Sequence, residues 1–356
     1  MFTFFPDCTI HSMATKCSLV QQGYERGSCL TQVNGEKAPA CEVTLKQEGD
    51  DLLRLIESIH LSRPENYLSI YQSGCNLSCR KCHSWYFSKV ARGKWYSPSE
   101  IAMLCVDYDR RVTLREPRDR ATSWHAHDHC RCCGACILSE KRSSHCPQRL
   151  SPEEIVLSPQ GFGPARNIVG FTGGDLCCRP NFYGECARKI KEKTKLWVLI
   201  ETNGYGLIPE HLDLLRDAGV DSFWLDIKAF DDEAHRWLTG CSNRGILALP
   251  EEMLKRGFVI EVLSLYIPGL VETPQLIEIG RLLSRLDRTI PFTILAFFPE
   301  NKMRDYRHPT AQEMIEAFLG VKATGLQRVR LGNTGVFAKG DEDYRLLEDT
   351  VGVGNF

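Results

Sequence analysis

Residues 151–335 alternate short apolar runs with amphipathic runs, and this alternation constrains the fold more than any other feature of the sequence. The apolar runs have the length of buried strands, and the runs between them have helical composition. Strands that alternate with helices favour a parallel sheet with right-handed crossovers, curved into a barrel or partial barrel. The sequence therefore predicts strands at 168–171, 196–200, 222–227, 259–265 and 292–295, and helices at 182–193, 210–218, 249–255, 273–286 and 310–324.

Polar residues follow three of these predicted strands, as Gly173-Gly174-Asp175, Glu201-Thr202-Asn203-Gly204 and Asp226-Ile227-Lys228. In a parallel α/β barrel the carboxyl ends of the strands form the rim at which active sites are built. Asp226 and Lys228 leave the same face of one strand, because side chains alternate along an extended chain. They are either a ligand-binding pair or a simple ion pair at the rim.

Cys75, Cys79 and Cys82 have the spacing C-x3-C-x2-C and follow a predicted strand at 67–71. Three closely spaced thiolates can bind three irons of a cubane cluster and leave the fourth iron open to a substrate. The alternatives are a redox pair or a zinc site, although zinc commonly uses two separated cysteine pairs. The triplet therefore favours an iron–sulfur cluster.

The 44 basic and 45 acidic residues nearly balance, so the composition indicates no specific nucleic-acid partner. No apolar run approaches the length of a bilayer span, and the N-terminus lacks the pattern of a signal peptide. These features predict a cytoplasmic protein with no membrane partner. In that compartment clustered cysteines are more often metal or redox ligands than disulfides, and some of the 17, such as Cys105 and Cys241, are expected to be buried apolar residues.

The cysteine triplet after the first strand of an alternating α/β chain resembles the radical SAM superfamily, over roughly residues 64–335. Gly173-Gly174-Asp175 resembles the glycine-rich motif that contacts the methionyl amino group of S-adenosylmethionine in that family, with Asp in place of Glu. Asn203, Asp226 and Lys228 match positions where related enzymes make polar contacts to the nucleoside. The resemblance therefore implies that Gly173, Gly174, Asp175, Asn203, Asp226 and Lys228 bind this cofactor.

Two groups within that superfamily are similar to this chain. Cys82-His83 and residues 226–243 resemble glycyl-radical-enzyme activating enzymes, such as the pyruvate formate-lyase activase. Residues 261–269 and 297–305 resemble the AmmeMemoRadiSam-type proteins. Both groups usually carry a His where this chain has Thr293.

The fold implied is an α/β partial barrel of the (β/α)6 type. It has a cysteine-containing N-terminal segment (1–63, with a short helix near 50–60), a barrel (64–335) with a cysteine-rich insertion at 105–150, and a tail (336–356).

The resemblance also implies a chemistry. A [4Fe–4S] cluster on Cys75, Cys79 and Cys82 would reduce bound S-adenosylmethionine to methionine and a 5′-deoxyadenosyl radical, which abstracts hydrogen from a substrate. An electron donor of the ferredoxin or flavodoxin type would supply the electron. The activases imply a protein or peptide substrate. A small-molecule substrate, or a non-catalytic iron–sulfur or zinc protein, remains as an alternative.

Five cysteines in the insertion form a second group, whose C-x2-C core and Cys-Pro ending resemble a ferredoxin-type cluster loop. Several histidines lie beside them, so a second iron–sulfur cluster and a zinc site are both open. The predicted ligands are Cys130, Cys133, Cys136 and Cys146, with Cys132 as a possible substitute. Two further groups of cysteines remain undecided. Cys8, Cys17, Cys29 and Cys41 either form a small metal-binding knuckle or bind no metal. The adjacent Cys177 and Cys178 are either redox-active or simply packed in the protein.

Overall fold

A computed structural model describes residues 17–142 and 145–356. Its main feature is a ten-stranded sheet. The strands of this sheet are β3 (Leu45–Glu48), β4 (Asp51–Leu61), β5 (Leu68–Gln72), β6 (Lys94–Tyr96), β9 (Ile168–Gly173), β10 (Trp197–Thr202), β11 (Ser222–Asp226), β12 (Val259–Tyr266), β13 (Phe292–Ala296) and β14 (Val329–Gly332). Their order across the sheet is β14-β13-β12-β11-β10-β9-β5-β4-β3, with β6 paired to β4. All neighbours from β5 to β14 along this order are parallel. The α/β class and the mostly parallel sheet predicted from the sequence are confirmed.

Helices connect the parallel strands and cover the outer face of the sheet. The helix Leu249–Lys255 ends before Gly257, whose φ of +74° suits a residue without a side chain. The helix Ala311–Lys322 begins with a capping box, in which Thr310 accepts from the backbone of Glu313. The described α-helices are Ser18–Gln21, Ala40–Val43, Trp85–Ser88, Pro98–Asp109, Ala126–His129, Ala135–Leu138, Asn181–Lys193, Pro209–Asp217, Asp232–Thr239, Leu249–Lys255, Thr273–Leu286, Ala311–Lys322, Thr334–Phe337 and Asp341–Thr350. The five helices predicted between 182 and 324 are present, with ends displaced by at most two residues.

The helix predicted near residues 50–60 was wrong, because this segment is the eleven-residue strand β4. β4 pairs antiparallel with β5, with a register shift between Ile56 and Ser58. Its apolar residues fit a helical period as well as a strand, and pairing with a buried neighbouring strand decides the conformation. β3 and β6 also pair with β4, so part of the N-terminal segment lies in the same sheet as the barrel strands.

The first part of the insertion lies across the amino ends of the parallel strands. The side chain of Ser222, the first residue of β11, donates to the carbonyl of Ala121 at 2.5 Å. The side chain of Trp197, the first residue of β10, donates to the carbonyl of Glu116 at 2.8 Å. The amide of Trp124 donates to the Glu261 carboxylate at 2.7 Å. The insertion therefore closes the barrel at the end opposite the predicted active site.

Two small hairpins and the C-terminal tail complete the described chain. β1 (Leu30–Val33) pairs with β2 (Glu36–Pro39), and β7 (Val156–Ser158) pairs with β8 (Gly161–Gly163), both antiparallel. In the tail, Leu347 and Phe356 are buried against the core. None of the described helices combines the length and the apolar composition that crossing a membrane requires.

Candidate active site

A cavity of about 500 Å³ opens at the carboxyl ends of the parallel strands. Its wall combines the loop after β5 with the ends of β9, β10 and β11, which are neighbours in the sheet. Eight of the residues singled out from the sequence line it, namely Cys75, Cys79, Cys82, Gly173, Asp175, Asn203, Asp226 and Lys228. The fold thus brings the cysteine triplet together with the polar residues that follow three other strands.

The loop that carries the three cysteines is fixed by hydrogen bonds to distant parts of the chain. The amide of Asn76 donates to the carbonyl of Asp175 at 2.8 Å, and the amide of Arg80 donates to the carbonyl of Leu238 at 2.7 Å. Asn301 donates from its side chain to the carbonyl of Cys79 at 3.2 Å. The loop is therefore positioned by the ends of several elements around the barrel rim.

The three cysteine thiols lie together on the cavity wall. Burial raises the pKa of the Cys79 thiol to about 12, so a bound metal is required to hold it as a thiolate near neutral pH. Within residues 17–142 and 145–356, no three His, Cys, Asp or Glu side chains converge on a position where a single metal ion would bind. A cubane tolerates wider spacing, since each thiolate binds a different iron atom.

Gly174 packs against the backbone at the end of β5. A Cβ at this position would lie 2.2 Å from the carbonyl oxygen of Gly74 and 2.6 Å from that of Gln72, so no side chain fits. The neighbouring Asp175 carboxylate accepts hydrogen bonds, each 2.8 Å long, from the Cys177 amide, the Thr202 hydroxyl and the Asn203 amide. The carboxylate thereby fixes the end of β10 and is already satisfied by donors within the chain.

Asn203 links the end of β10 to the cysteine loop. Its side-chain amide donates to Asn76 Oδ1 at 2.8 Å and lies 3.8 Å from the sulfur of Cys75. Asn76 in turn donates to the carbonyl of Tyr205 at 2.7 Å. The side chain of Asn203 is therefore placed to orient the Cys75 thiol.

Asp226 and Lys228 form an ion pair on the cavity wall. Burial alone would lower the pKa of Lys228, but the charges of Asp226 and Cys79 offset this effect and raise it above its ordinary value. The second carboxylate oxygen, Asp226 Oδ1, is buried and accepts no hydrogen bond from any described residue, and Trp224 Nε1 likewise finds no described acceptor. An unsatisfied acceptor and an unsatisfied donor on one wall fit a polar ligand that carries hydroxyl or amino groups.

A second carboxylate, Glu201, faces the interior of the barrel beside this pair. Burial raises the pKa of Glu201 to about 8, and the Tyr67 hydroxyl donates to it at 2.9 Å. Thr293, which replaces the His of the similar groups, donates instead to Glu261 at 3.1 Å. The Thr293 side chain is therefore occupied within the protein.

Lys81 and Phe298 also line the cavity, and the sequence reasoning did not select them. The ammonium of Lys81 lies 3.3 Å from the Phe298 ring centroid and 2.7 Å from the Glu300 carboxylate. The position of Lys81 between two of the predicted ligand cysteines was the available signal for this residue. Phe298 and Glu300 reach the site only through the loop after β13, which the sequence does not connect to the cysteines.

The insertion cysteines lie at the opposite end of the barrel. Cys132 donates from its thiol to Asn66 Oδ1 at 3.2 Å, just before β5 begins, whereas Cys75 follows the end of β5. The five residues of β5 separate the two groups by about 17 Å, at roughly 3.3 Å per residue. The amide of Cys132 donates to the sulfur of Cys130 at 3.2 Å, while Cys133 is exposed. None of the four predicted insertion ligands lines the cavity.

The remaining cysteines are mostly packed into the protein. Cys177 and Cys178 are 1% and 4% exposed, and Cys105 and Cys241 are fully buried as the sequence predicted. Cys29 packs in a small apolar cluster with Ala40 and Leu176, against which Cys41 is partly buried. Cys17 lies beside the main core, and Cys8 lies outside the described residues.

Residues 129–283, which include the ends of β9, β10 and β11, match the family model described as the radical SAM superfamily. This part of the chain is therefore similar to radical SAM domains. The matched range begins after the cysteine triplet, so the assignment of Cys75, Cys79 and Cys82 as ligands rests on the spacing and on the geometry of the cavity.

Two curated relatives of the radical SAM domain are named as activating enzymes. A protein of Methanocaldococcus jannaschii, named as a glycyl-radical enzyme activating enzyme, is 28% identical over 138 residues, which cover 36% of this chain and 52% of the relative. The 4-hydroxyphenylacetate decarboxylase activating enzyme of Clostridium scatologenes is 26% identical over 201 residues, which cover 52% of this chain and 62% of the relative. The chain thus spans between half and two thirds of these relatives.

One similar solved structure is a domain of a pyruvate-formate lyase-activating enzyme from Bacteroides vulgatus. It has a TM-score of 0.41 and 15% sequence identity, and the alignment covers 46% of this chain and 98% of that domain.

Proposed function

We propose that this protein is a radical SAM enzyme that cleaves S-adenosylmethionine reductively and uses the resulting radical to abstract hydrogen from a protein or peptide. The observation that carries the proposal is the cavity that holds Cys75, Cys79 and Cys82 opposite the unsatisfied Asp226 Oδ1. When bound, a [4Fe–4S] cluster and S-adenosylmethionine would supply a 5′-deoxyadenosyl radical.

The residues of this chain would bind and orient these groups. Cys75, Cys79 and Cys82 would hold three irons, while Asn203 would orient Cys75 through its amide. Asp226 would accept a ribose hydroxyl on Oδ1, and Lys228 would offer a positive charge to the methionyl carboxylate. Gly173 would face the methionyl group from the cavity wall, and Gly174 would let this turn pack closely against the end of β5. Asp175 would act through its backbone, because its carboxylate is already hydrogen-bonded.

A protein or peptide substrate is supported by the names of the relatives. Both relatives described above are named as activating enzymes, and activases act on protein substrates. The apolar part of the cavity wall also supports a protein or peptide substrate. Leucines on β12 and β13 and the ring of Trp224 line the cavity together with the ion pair. An extended peptide segment could enter such an apolar space and present one Cα–H bond to the radical.

The test is anaerobic reconstitution with iron and sulfide, followed by product analysis. The reconstituted protein should contain at least four irons per chain and, with dithionite and S-adenosylmethionine, should release 5′-deoxyadenosine and methionine. Changing Cys75, Cys79 and Cys82 together to Ala should remove about four irons and abolish both products. A triple variant that still releases 5′-deoxyadenosine would contradict the proposal, and the matched triple variant of the buried Cys105, Cys186 and Cys241 controls for a general loss of cysteines.

We also propose that Cys130, Cys133, Cys136 and Cys146 bind a second metal centre, either a cluster or zinc. The support is the C-x2-C core and the Cys-Pro ending in the sequence, together with the hydrogen bond from the Cys132 amide to the Cys130 sulfur. The catalytic triple variant should then retain metal, and additional loss of these four cysteines should remove it. Residual iron with a reducible cluster signal would identify a cluster, residual zinc would identify a zinc site, and no residual metal would contradict both.

A further inference from the structure

The loop between the ligand cysteines reaches the protein surface on the side away from the cavity. Arg80 and Lys81 are adjacent in the chain, yet Lys81 is buried on the cavity wall and Arg80 is exposed. His83, which follows the last ligand cysteine, is also exposed but lines the cavity. Arg80, next to Cys79, therefore forms the exposed part of the loop on the side away from the cavity.

Aromatic rings surround Arg80 on this surface. Its guanidinium lies 4.4 Å from the Trp237 ring centroid and donates to the Trp237 carbonyl at 2.9 Å. The ring of Trp237 lies 6.0 Å from that of Tyr306, and each residue remains more than one third exposed. The Lys302 amide donates to the carbonyl of Arg80 at 3.1 Å, which places Lys302 beside the same loop. We name Arg80, Trp237, Lys302, Arg304 and Tyr306 the cluster-loop face.

The cluster-loop face carries positively charged side chains that no described carboxylate pairs with. Arg80, Lys302 and Arg304 are exposed, and within residues 17–142 and 145–356 none of them forms an ion pair with a carboxylate. The nearby Arg236 and Arg307, by contrast, are paired with acidic residues. Asp305 is an exposed acid in this stretch. The chain as a whole carries a net charge of −1, so the positive charge here is local.

We propose that the cluster-loop face binds an acidic electron-carrier protein, which delivers one electron to the cluster at Cys75, Cys79 and Cys82. The inference rests on the proposed function. The low-potential carrier loses one electron, the cluster gains one, and no bond or proton is transferred in this step. Exposed aromatic residues within a rim of unpaired cations suit a partner whose redox centre lies near its surface among acidic residues.

The position of the face distinguishes an electron carrier from the substrate. A substrate must enter the cavity, where Lys81, Asp226 and Lys228 line the wall. The residues of the cluster-loop face do not line the cavity. An electron could pass from this face through the loop to the cluster. A substrate bound at this face could not bring its hydrogen atom to the cofactor. The two partners could therefore bind at the same time.

The test uses reduced flavodoxin as the probe and the reconstituted full chain. Cluster reduction is followed by the loss of visible absorbance after rapid mixing, without S-adenosylmethionine. The double variant Lys302→Glu, Arg304→Glu should be reduced at least tenfold more slowly than the wild type at low ionic strength, and the difference should shrink in about 0.5 M salt. Arg285→Glu, an exposed change in the last turn of the helix Thr273–Leu286, should have no effect.

Chemical reduction separates this inference from the proposed function. Dithionite should reduce the double variant at the wild-type rate and support the same yield of 5′-deoxyadenosine. An unchanged rate with flavodoxin, or an equal loss with dithionite, would overturn the docking site. A wild-type protein that accepts electrons from flavodoxin but forms no 5′-deoxyadenosine would instead contradict the proposed function and leave the docking site supported.

Discussion

Asn203 donates from its side-chain amide to Asn76 at 2.8 Å, and the same amide lies 3.8 Å from the sulfur of Cys75. Asn76 precedes the buried Leu77 in the loop between the first two predicted ligand cysteines, whereas Asn203 follows β10. One amide therefore ties the polar rim of the sheet to the predicted cluster ligand. Hydrogen bonds of this kind influence both the orientation and the electronics of a metal ligand.

The first prediction concerns the potential of the cluster. Asn203→Ala removes an N–H group that stabilises negative charge on Cys75, so the reduced cluster should become harder to form. One hydrogen bond contributes about 1 kcal/mol, which corresponds to a potential on the order of 40 mV more negative. A redox titration of the reconstituted protein measures the change. Asn243→Ala, at a buried amide that bonds to Ala229 and Phe230, is the control. An unchanged potential in Asn203→Ala would show that this amide only fixes the loop.

The second prediction concerns cofactor affinity. Asp226→Asn and Lys228→Met each remove a charged group from the cavity wall, and such hydrogen bonds contribute about 1.5–3 kcal/mol. The affinity for S-adenosylmethionine should therefore fall about tenfold to a hundredfold, as measured by calorimetry on the anaerobic protein. Iron content should not change, since neither residue is a ligand. Wild-type affinity in both variants would show that the two residues are only an ion pair at the rim.

The third prediction concerns the closure of the barrel by the insertion. Glu116 of the insertion and Arg166, just before β9, form an ion pair whose side chains are 2% and 0% exposed. Glu116→Gln leaves the guanidinium buried without a counter-charge, which should lower the free energy of unfolding by about 3 kcal/mol. Urea denaturation measures the loss. Glu278→Gln breaks an exposed ion pair with Arg281 and should change stability by less than about 0.5 kcal/mol. Equal effects of the two substitutions would contradict the structural role of the buried pair.

The fourth prediction concerns Glu201 and pH. The folded-state pKa of about 8 lies above the ordinary value of 4.5, so between these pH values the folded protein holds a proton that the unfolded chain has released. Stability should therefore fall as the pH rises through this window. The Glu201→Gln variant cannot lose stability in this way. Its free energy of unfolding at pH 8.5 should exceed that of the wild type by about 1–2 kcal/mol, a value reduced because the cavity is in contact with water. The free energies of unfolding of the two proteins should become equal near pH 4.5. A difference in stability that does not vary with pH would refute the raised pKa of Glu201.

The amino-acid sequence was sufficient to predict the parallel sheet and eight of the residues that line the cavity. Periodicity is a local property, so the helix Thr273–Leu286 and its neighbours could be located from the pattern of apolar residues alone. The triplet at Cys75, Cys79 and Cys82 could be interpreted because its spacing constrains what the thiols can bind. Asp226 and Lys228 were assigned to one face by the alternation of a strand.

Only the tertiary structure decided the features that depend on long-range pairing. Residues 51–61 form β4 because β5 lies beside them, and no local propensity reveals that neighbour. The three donors that occupy the Asp175 carboxylate come from the loop after β9, from the last residue of β10 and from the loop after β10. The motif that contains Asp175 could not indicate that its side chain is satisfied in this way. The exposure of Arg80 beside the buried Lys81 was likewise set by packing against Trp237 and Phe298, which lie far away in the sequence and meet the loop only after the barrel has folded.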